Sequence, residues 1–505
     1  MAYHYDTYVR DSLVNENIFI DSPVDKSEIP VFEQVKNKIP RPFWENHDRT
    51  IECYWRAWQL AFTNLKKPSE ENGFVSNYIG TCFNDCLFMW DSVFSMMFGK
   101  YGSKAFNFQK TLDNLYAKQH SDGFLCREIS ESDGTDRFHR FDPSSTGPNV
   151  LPWAEWEYYS IFGDRERLKK VFPVLVSYHR WLKNYRTWPN GTYWSSGWGC
   201  GMDNQPRLPE NMHHEFYHGH VTWIDICLQQ VFSARILVNI ANILGRSSEI
   251  KDLEEEIQSL SKYINDNMWD EETGFYFDLF SNNKISSVKT VGAYWALIAG
   301  IVPQERLKRF VDHLDNPLEF KRHHRVPSLS YENSAYDPEG NYWRGGVWAM
   351  TNYMVLRGLT EVHCDTLAHE IACNHLENIV KVYKDTGTLW ENYSAETSKQ
   401  GNPAKKDFVG FGGVPPIAVL FEYVFGIRSD VENASLIWDV RLLEEHGVEN
   451  FPFGAEGIIN LKCKARLSKD EKPEIDITSN IPINVEMRWN EGSLTHTFSA
   501  TIVNN

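Results

Sequence analysis

Four stretches of this chain set a carboxylate beside tryptophan, and three of them do so among glycines. The first is "FMWDSVF", with Trp90 and Asp91. The second, "SSGWGCGMDNQPR" (195–207), holds Trp198, Asn204 and a single acid, Asp203, with Trp194 just before it. The third, "SLSYENSAYDPEGNYWRGGVW", carries Glu332, Asp337, Trp343, Arg344 and Trp348. The fourth, "GTLWENYSAE", carries Trp390, Glu391 and Tyr393. Hydrolysis of a glycosidic bond needs two carboxyl groups, one protonated to help the leaving group and one ionised. Apolar tryptophan walls supply a means of keeping one protonated, because desolvation disfavours the charged form. Asp203 and Glu391 fit those two roles. A lone Asp in a glycine turn is more often a turn or cap residue; only the convergence of several such stretches argues for catalysis.

Composition narrows the partners. The 51 Lys+Arg against 68 Asp+Glu leave a net charge of −17, and no basic block stands out. Nucleic acid and anionic membrane are therefore poor partners. Aromatics make up 14% of the chain, including 18 Trp and 23 Tyr, and many sit beside Gly, Asn and Asp in loops. Flat rings next to hydrogen-bonding groups suit sugars, so the expected partner is a small oligosaccharide or glycoside. The nine cysteines are scattered, and Cys82 and Cys86 have no second pair at metal-finger spacing, which reads as reduced thiols. The opening "MAYHYDTYVRD" has neither a basic nor an apolar leader region, and no run of about 18 apolar residues exists. A cytoplasmic location is the expectation. The tract "HHEFYHGH" (His213, His214, His218, His220) lacks H-E-x-x-H spacing and a Cys partner. It reads as lining the Asp203 loop, and neither a metal nor an organic cofactor is expected.

The elements that must hold these loops are mostly helices. Residues 1–48 are polar and proline-dotted, an expected extended arm. From 49 to 429 helical periodicity dominates, with about twelve candidate helices. Segment 248–268 shows a narrow apolar stripe, as an outer helix would, whereas 220–244 is apolar nearly all round, as an inner one would be. The two kinds roughly alternate, with Gly turns between pairs. This pattern predicts an (α/α)6 toroid, a mainly α fold, with the turns gathered at one mouth. Residues 430–505 change to period-2 alternation, a small C-terminal β domain of sandwich type.

Taken together, the stretches resemble known motifs. "SGWGCGMDNQPR" is similar to the S-G-x-D-x-S-P-R loop of the trehalase-like clan of inverting α-glycosidases, and "YWRGGVWAMTNYMVLRGL" to its Y-W-R-G-P-V-W helix start. "LWENYSAETSKQGNP" resembles its Glu-bearing x-E-x-Y-x-P-x-T-G segment, and "FMWDSVF" its W-D-S-x-F. The closest resemblance is to glycoside hydrolase family 63, particularly the bacterial α-glucosidase and mannosylglycerate hydrolase type, over residues 50–426. It implies Asp203 as general acid and Glu391 as general base. Trp90, Asp91, Trp343 and Arg344 match substrate-binding positions, Gln119 and Asp122 of "QHSDGF" more loosely; Trp198, Asn204, Trp348 and Trp390 are expected beside them. Gln205 stands where the family has Ser, Gly346 where it has Pro, and "SAET" lacks the family's Pro. A sugar epimerase using His213–His220, or a carbohydrate-binding protein without catalysis, are the alternatives.

Overall fold

The computed structural model describes residues 11–81, 84–209, 211–490 and 492–500. Cys82 and most of the opening "MAYHYDTYVRD" therefore lie outside the described residues. The chain is mostly helical, with short two-stranded sheets among the helices and two larger sheets formed mainly by its C-terminal end.

Turn chemistry sets the helix boundaries. Helix Leu151–Phe162 carries Pro at its start and stops at Gly163, which takes the left-handed φ of 67°. Asp164 then accepts a hydrogen bond from the Arg167 amide and caps Arg165–Tyr185. Two residues thus reverse the chain into a helical hairpin.

The inner helices form a closed circuit. Met89–Gly99 packs on Leu151–Phe162, which packs on Ile224–Leu244, then Trp295–Ile298, Ala349–Glu361 and Pro415–Val424, and the last returns to Met89–Gly99. The outer helices Thr111–Ala117, Arg165–Tyr185, Lys251–Asn267, Asp365–Thr386 and Asp48–Thr63 each lie against members of that circuit. The sequence contrast holds here. Ile224–Leu244 is buried along most of its length, while Lys251–Asn267 buries only Leu253, Glu256, Leu260 and Ile264.

The centre is plugged. The Trp153 ring meets Phe94, Phe232 and Trp295 edge-on at 5.6–5.8 Å and stacks on Tyr353 at 5.7 Å. Past the C-terminal end of Met89–Gly99 lies a buried ion cluster. Lys100 bridges Glu157 at 2.6 Å and Glu422 at 2.9 Å, Arg357 reaches Glu157 at 3.2 Å, and Tyr101 and Tyr353 both donate to Glu422. Trp90 and Asp91, at the start of the same helix, face the opposite end. Several inner helices thus begin at one end of the circuit and finish on this cluster.

Two four-stranded sheets follow. One orders Arg41–Trp44, His446–Phe453, Gly457–Cys463 and Ile475–Ser479; the other orders Ile427–Asp430, Ser435–Asp439, Ile483–Trp489 and Gly492–Phe498. Arg41–Trp44 comes from the segment expected as an extended arm, which also carries helical turns at Ser12–Glu16 and Phe32–Val35. It adds antiparallel to His446–Phe453. The sheets attach at the end of Leu151–Phe162, where the Gly454 amide donates to Ile161 O at 2.6 Å and Val431 N to Ser160 O. That is the ion-cluster side, away from Trp90 and Asp91.

Removing one partner of a buried ion cluster leaves charge unpaired at low dielectric. Lys100→Ala is therefore expected to lower unfolding free energy by about 3–5 kcal/mol in urea titrations, with no direct effect on residues at the other end.

Candidate active site

A cavity opens at the N-terminal ends of the inner helices. It holds about 470 Å³ and is lined by Trp90, Asp91, Trp198, Asp203, Trp343, Trp348 and Glu391, seven of the twelve residues expected from sequence. Arg127, Glu128, Arg137, Phe138, Tyr342 and Lys405 line it as well.

Asp203 sits on a turn that only glycine permits. Ser196 caps the short helix Gly197–Cys200, and Gly201 ends it with φ 77°. A Cβ on Gly197 would lie 2.2 Å from the Asp203 carbonyl and 2.5 Å from that of His214. The loop is then held from three sides. Gln205 donates to Ser328 O and accepts from Thr290 Oγ1, each at 2.7 Å, so the residue replacing the family's Ser has bonds of its own. Asn204 donates to Asn341 O and accepts from the Trp343 amide, and Arg344 Nε donates to Asn204 O. Arg207, fully buried, grips Asp225 and Asp278 at 2.6–2.8 Å with its guanidinium 4.2 Å from the Trp223 ring.

Glu391 arrives from the other side and is only 3% exposed. Tyr342 OH donates to its Oε1 at 3.1 Å and the Lys405 amide to its Oε2 at 3.1 Å. Tyr342 holds a left-handed φ of 66°, rare for a bulky residue. A Cβ on Gly346 would meet the Tyr342 carbonyl at 2.3 Å, so glycine in place of the family's Pro accompanies this bend. Trp343 and Trp348 stack in parallel, 4.0 Å apart, and form one wall. Opposite, Trp198 lies 5.9 Å from Phe138, with Arg127 over both rings and paired to Glu128 at 2.6 Å.

These surroundings set the proton affinities. Burial pushes the Asp203 carboxyl up to about 7; the nearby Arg127 cation opposes this, while Glu215, Glu128 and Glu391 add to it. Burial, then the Glu391 charge, lift Asp91 to about 8. Burial also raises Glu391, but the Tyr342 hydroxyl, the Lys405 amide and the Lys405 charge hold it down. Asp91 Oδ1 and the Trp90 indole N–H are buried at the cavity with no hydrogen-bond partner. Buried polar groups are ordinarily paired, so both suit a ligand's hydroxyls.

Five expected binding residues do not line the cavity. The Gln119 amide is spent on Gly123 O, Val174 O and Asn17, and Asp122 on Arg140, the Trp181 indole and the Phe124 amide. They fasten a helix turn to its neighbour. Trp390 donates to Thr386, and Asn204 and Arg344 join the two loops behind the cavity. Trp194, expected as a wall, packs instead with Trp188, His218 and Arg186. Glu332 pairs with Lys289.

The comparisons with known proteins give the family and the fold. The family model for the mannosylglycerate hydrolase MGH1-like glycoside hydrolase domain matches residues 86–409. The chain belongs to this family. Its match spans Asp91, Asp203, Tyr342 and Glu391 together. Mannosylglycerate hydrolase of Thermus thermophilus is 25% identical over 356 residues, 57% of this chain and 85% of that protein. A probable mannosyl-oligosaccharide glucosidase of Schizosaccharomyces pombe is 22% identical over 277 residues, 48% of this chain but only 33% of the yeast protein. The crystal structure of the Thermus thermophilus GH63 mannosylglycerate hydrolase in complex with glucose superposes with a TM-score of 0.59 at 21% identity. The superposition covers 72% of this chain and 99% of that one, which establishes a shared fold.

The residues that sequence missed come from loops with no periodic signal. Tyr342 stood inside a quoted motif, one position before Trp343. Arg127 followed "SDGFLC" without any cue that its side chain turns toward Trp198.

Gly197→Ala must push either the Asp203 carbonyl or the His214 segment aside. A misplacement of about 1 Å can cost a hundredfold in rate. On an α-glycoside the variant should lose about that factor in kcat with a cooperative melting curve; an unchanged kcat would mean the turn yields freely.

Proposed function

We propose that this member of the MGH1-like family is an inverting, exo-acting α-glycoside hydrolase built on an (α/α)6 toroid. One observation carries the reading. Two carboxyl groups from separate loops line a single tryptophan-walled cavity, one pushed up to about 7 and the other held by a hydroxyl and an amide. The closed circuit of six inner helices, with five outer helices packed against it, supports the toroid.

In this mechanism Asp203 enters protonated and gives its proton to the glycosidic oxygen as the bond to C1 breaks. Glu391 enters ionised and takes a proton from a water that adds to C1 from the opposite face. The two carboxyls then return to their starting states by exchange with solvent. Trp90 and the protonated Asp91 offer hydrogen bonds to the hydroxyls of the sugar being cleaved. No step calls for a metal or cofactor.

The substrate is an α-glucoside or an α-mannoside. The α-glucoside is the first choice and the mannosylglycerate type the second, because Arg127, Arg137 and Lys405 share the cavity with Asp91, Glu128, Asp203 and Glu391, and Arg127 is already paired to Glu128. The epimerase reading loses its bases, because among the described residues no histidine lines the cavity.

Asp203→Asn and Glu391→Gln should each cut turnover by about 10²–10⁴-fold while preserving the fold and sugar binding. The assay is a panel of neutral and glycerate-linked α-glucosides and α-mannosides with NMR detection of the product anomer. A product of retained configuration, or near-normal Glu391→Gln activity, would overturn the assignment.

The pH profile has a definite sign. Asp203 acts protonated, so activity falls as pH rises through about 7. Glu391 acts ionised, so activity falls as pH drops through its raised value. Arg127→Gln removes the cation that favours ionised Asp203 and should move the alkaline limb upward. A downward shift would exclude Asp203 as the group behind that limb.

A further inference from the structure

Phe216 is 42% exposed at the rim of the site, more than the half-buried Trp198 and Phe138 beside it. An isolated exposed phenyl is ordinary. This one is placed. Its ring centroid lies 4.4 Å from that of Trp198, which lines the cavity and continues to Phe138 at 5.9 Å. The backbone holds it there: the Gly197 amide donates to His214 O at 2.7 Å and the Trp198 amide to Glu215 O at 3.1 Å. The Phe216 segment is thus clamped to the same turn that carries Asp203. A general acid sits on the leaving-group side of the scissile bond. Aromatic surface running outward from Asp203 along its own loop therefore lies where the aglycone leaves the cavity.

We infer that Phe216, braced at 58° against Trp198, presents its exposed ring as a stacking platform for a pyranose ring in the aglycone, making this site selective for α-glycosides extended beyond the first aglycone unit. The inference rests on Asp203 being the general acid. Sugar rings present flat C–H faces that pack on aromatic rings, and Arg127 and Glu128 at the cavity wall offer hydrogen bonds to equatorial hydroxyls.

The experiment uses the full chain and matched α-linked gluco- and manno-disaccharides and trisaccharides, the latter extended at the aglycone end. In the wild type, kcat/KM should be higher on the trisaccharide. Phe216→Ala should cut the trisaccharide-to-disaccharide ratio by about fivefold to tenfold. Phe216→Trp should restore it, and Phe216→Leu, apolar but not flat, should not. A ratio unmoved by Phe216→Ala, or equally restored by Leu, overturns the platform. Titration calorimetry with the Glu391→Gln protein reads the same preference without turnover. If the wild type hydrolyses nothing, the hydrolase reading and the aglycone assignment fall together. Equal affinity for both lengths, or no binding of any extended sugar, removes the platform alone when hydrolysis of short substrates is intact.

Discussion

The position of the candidate acid depends on one buried arginine. Arg207 lies four residues beyond Asp203 and sends its guanidinium to two aspartates, Asp225 at the start of Ile224–Leu244 and Asp278 beside strand Leu279–Phe280. Taking three charges out of water is costly, and a pair alone often fails to recover that cost. Here four charge-assisted hydrogen bonds, two to each carboxylate, satisfy the fork geometry of the side chain. Asp278 also accepts the Ile224 amide, so the same carboxylate caps the helix that Asp225 begins. A glycine-rich loop with so few side chains of its own has little apolar surface to bury. The arginine supplies the fixed point that glycine cannot.

With the loop fixed, the second constraint is electrostatic. Asp91, Asp203 and Glu391 line one cavity, and burial raises all three. Three ionised carboxylates there would repel at reduced dielectric, so the surroundings sort them. Glu391 has the Tyr342 hydroxyl, the Lys405 amide and the Lys405 charge. Asp91 has no partner on Oδ1, and carries the Glu391 charge as its second penalty. Ionising Glu391 therefore helps keep Asp91 and Asp203 neutral, and the difference between the carboxylates follows from which of them received the donors.

Much of this was legible from residue order, for identifiable reasons. Helix spans announce themselves because burial on one face writes a 3.6-residue period, and the contrast between 220–244 and 248–268 came from how much of the circumference is buried. The Asp203 loop stood out because several tryptophan-carboxylate stretches with glycine converged, and the structure brings Asp203 and Glu391 to one cavity. Gln119 and Asp122 show the limit: a polar cluster beside a Gly turn looks the same whether it meets a sugar or fastens a hairpin, and here the Trp181 indole and Arg140 claim it. The cations were invisible for the converse reason. Arg127 and Lys405 lie almost 280 positions apart, and only the fold brings them to one cavity. Strand Arg41–Trp44 hid in a proline-dotted segment because an edge strand tolerates Pro42.

The loop 394–412 is tied to its neighbours and argues for a preformed site. Its hairpin is bound on both sides. Glu396 pairs with Arg322 and accepts the Tyr336 hydroxyl, Asn402 N donates to Glu339 O, Gly401 N to Asn392 O, and Phe408 N to Leu389 O. Lys405, whose amide holds Glu391, sits within that hairpin. Opening it would take the Lys405 amide away from Glu391. The strain at Tyr342 is sustained by this rigidity: Trp348 Nε1 holds its carbonyl, Glu391 holds its hydroxyl, and Gly346 leaves the space its backbone needs. A site held this firmly selects by shape already present, and the variable part of recognition moves outward, to the exposed rim beyond Trp198.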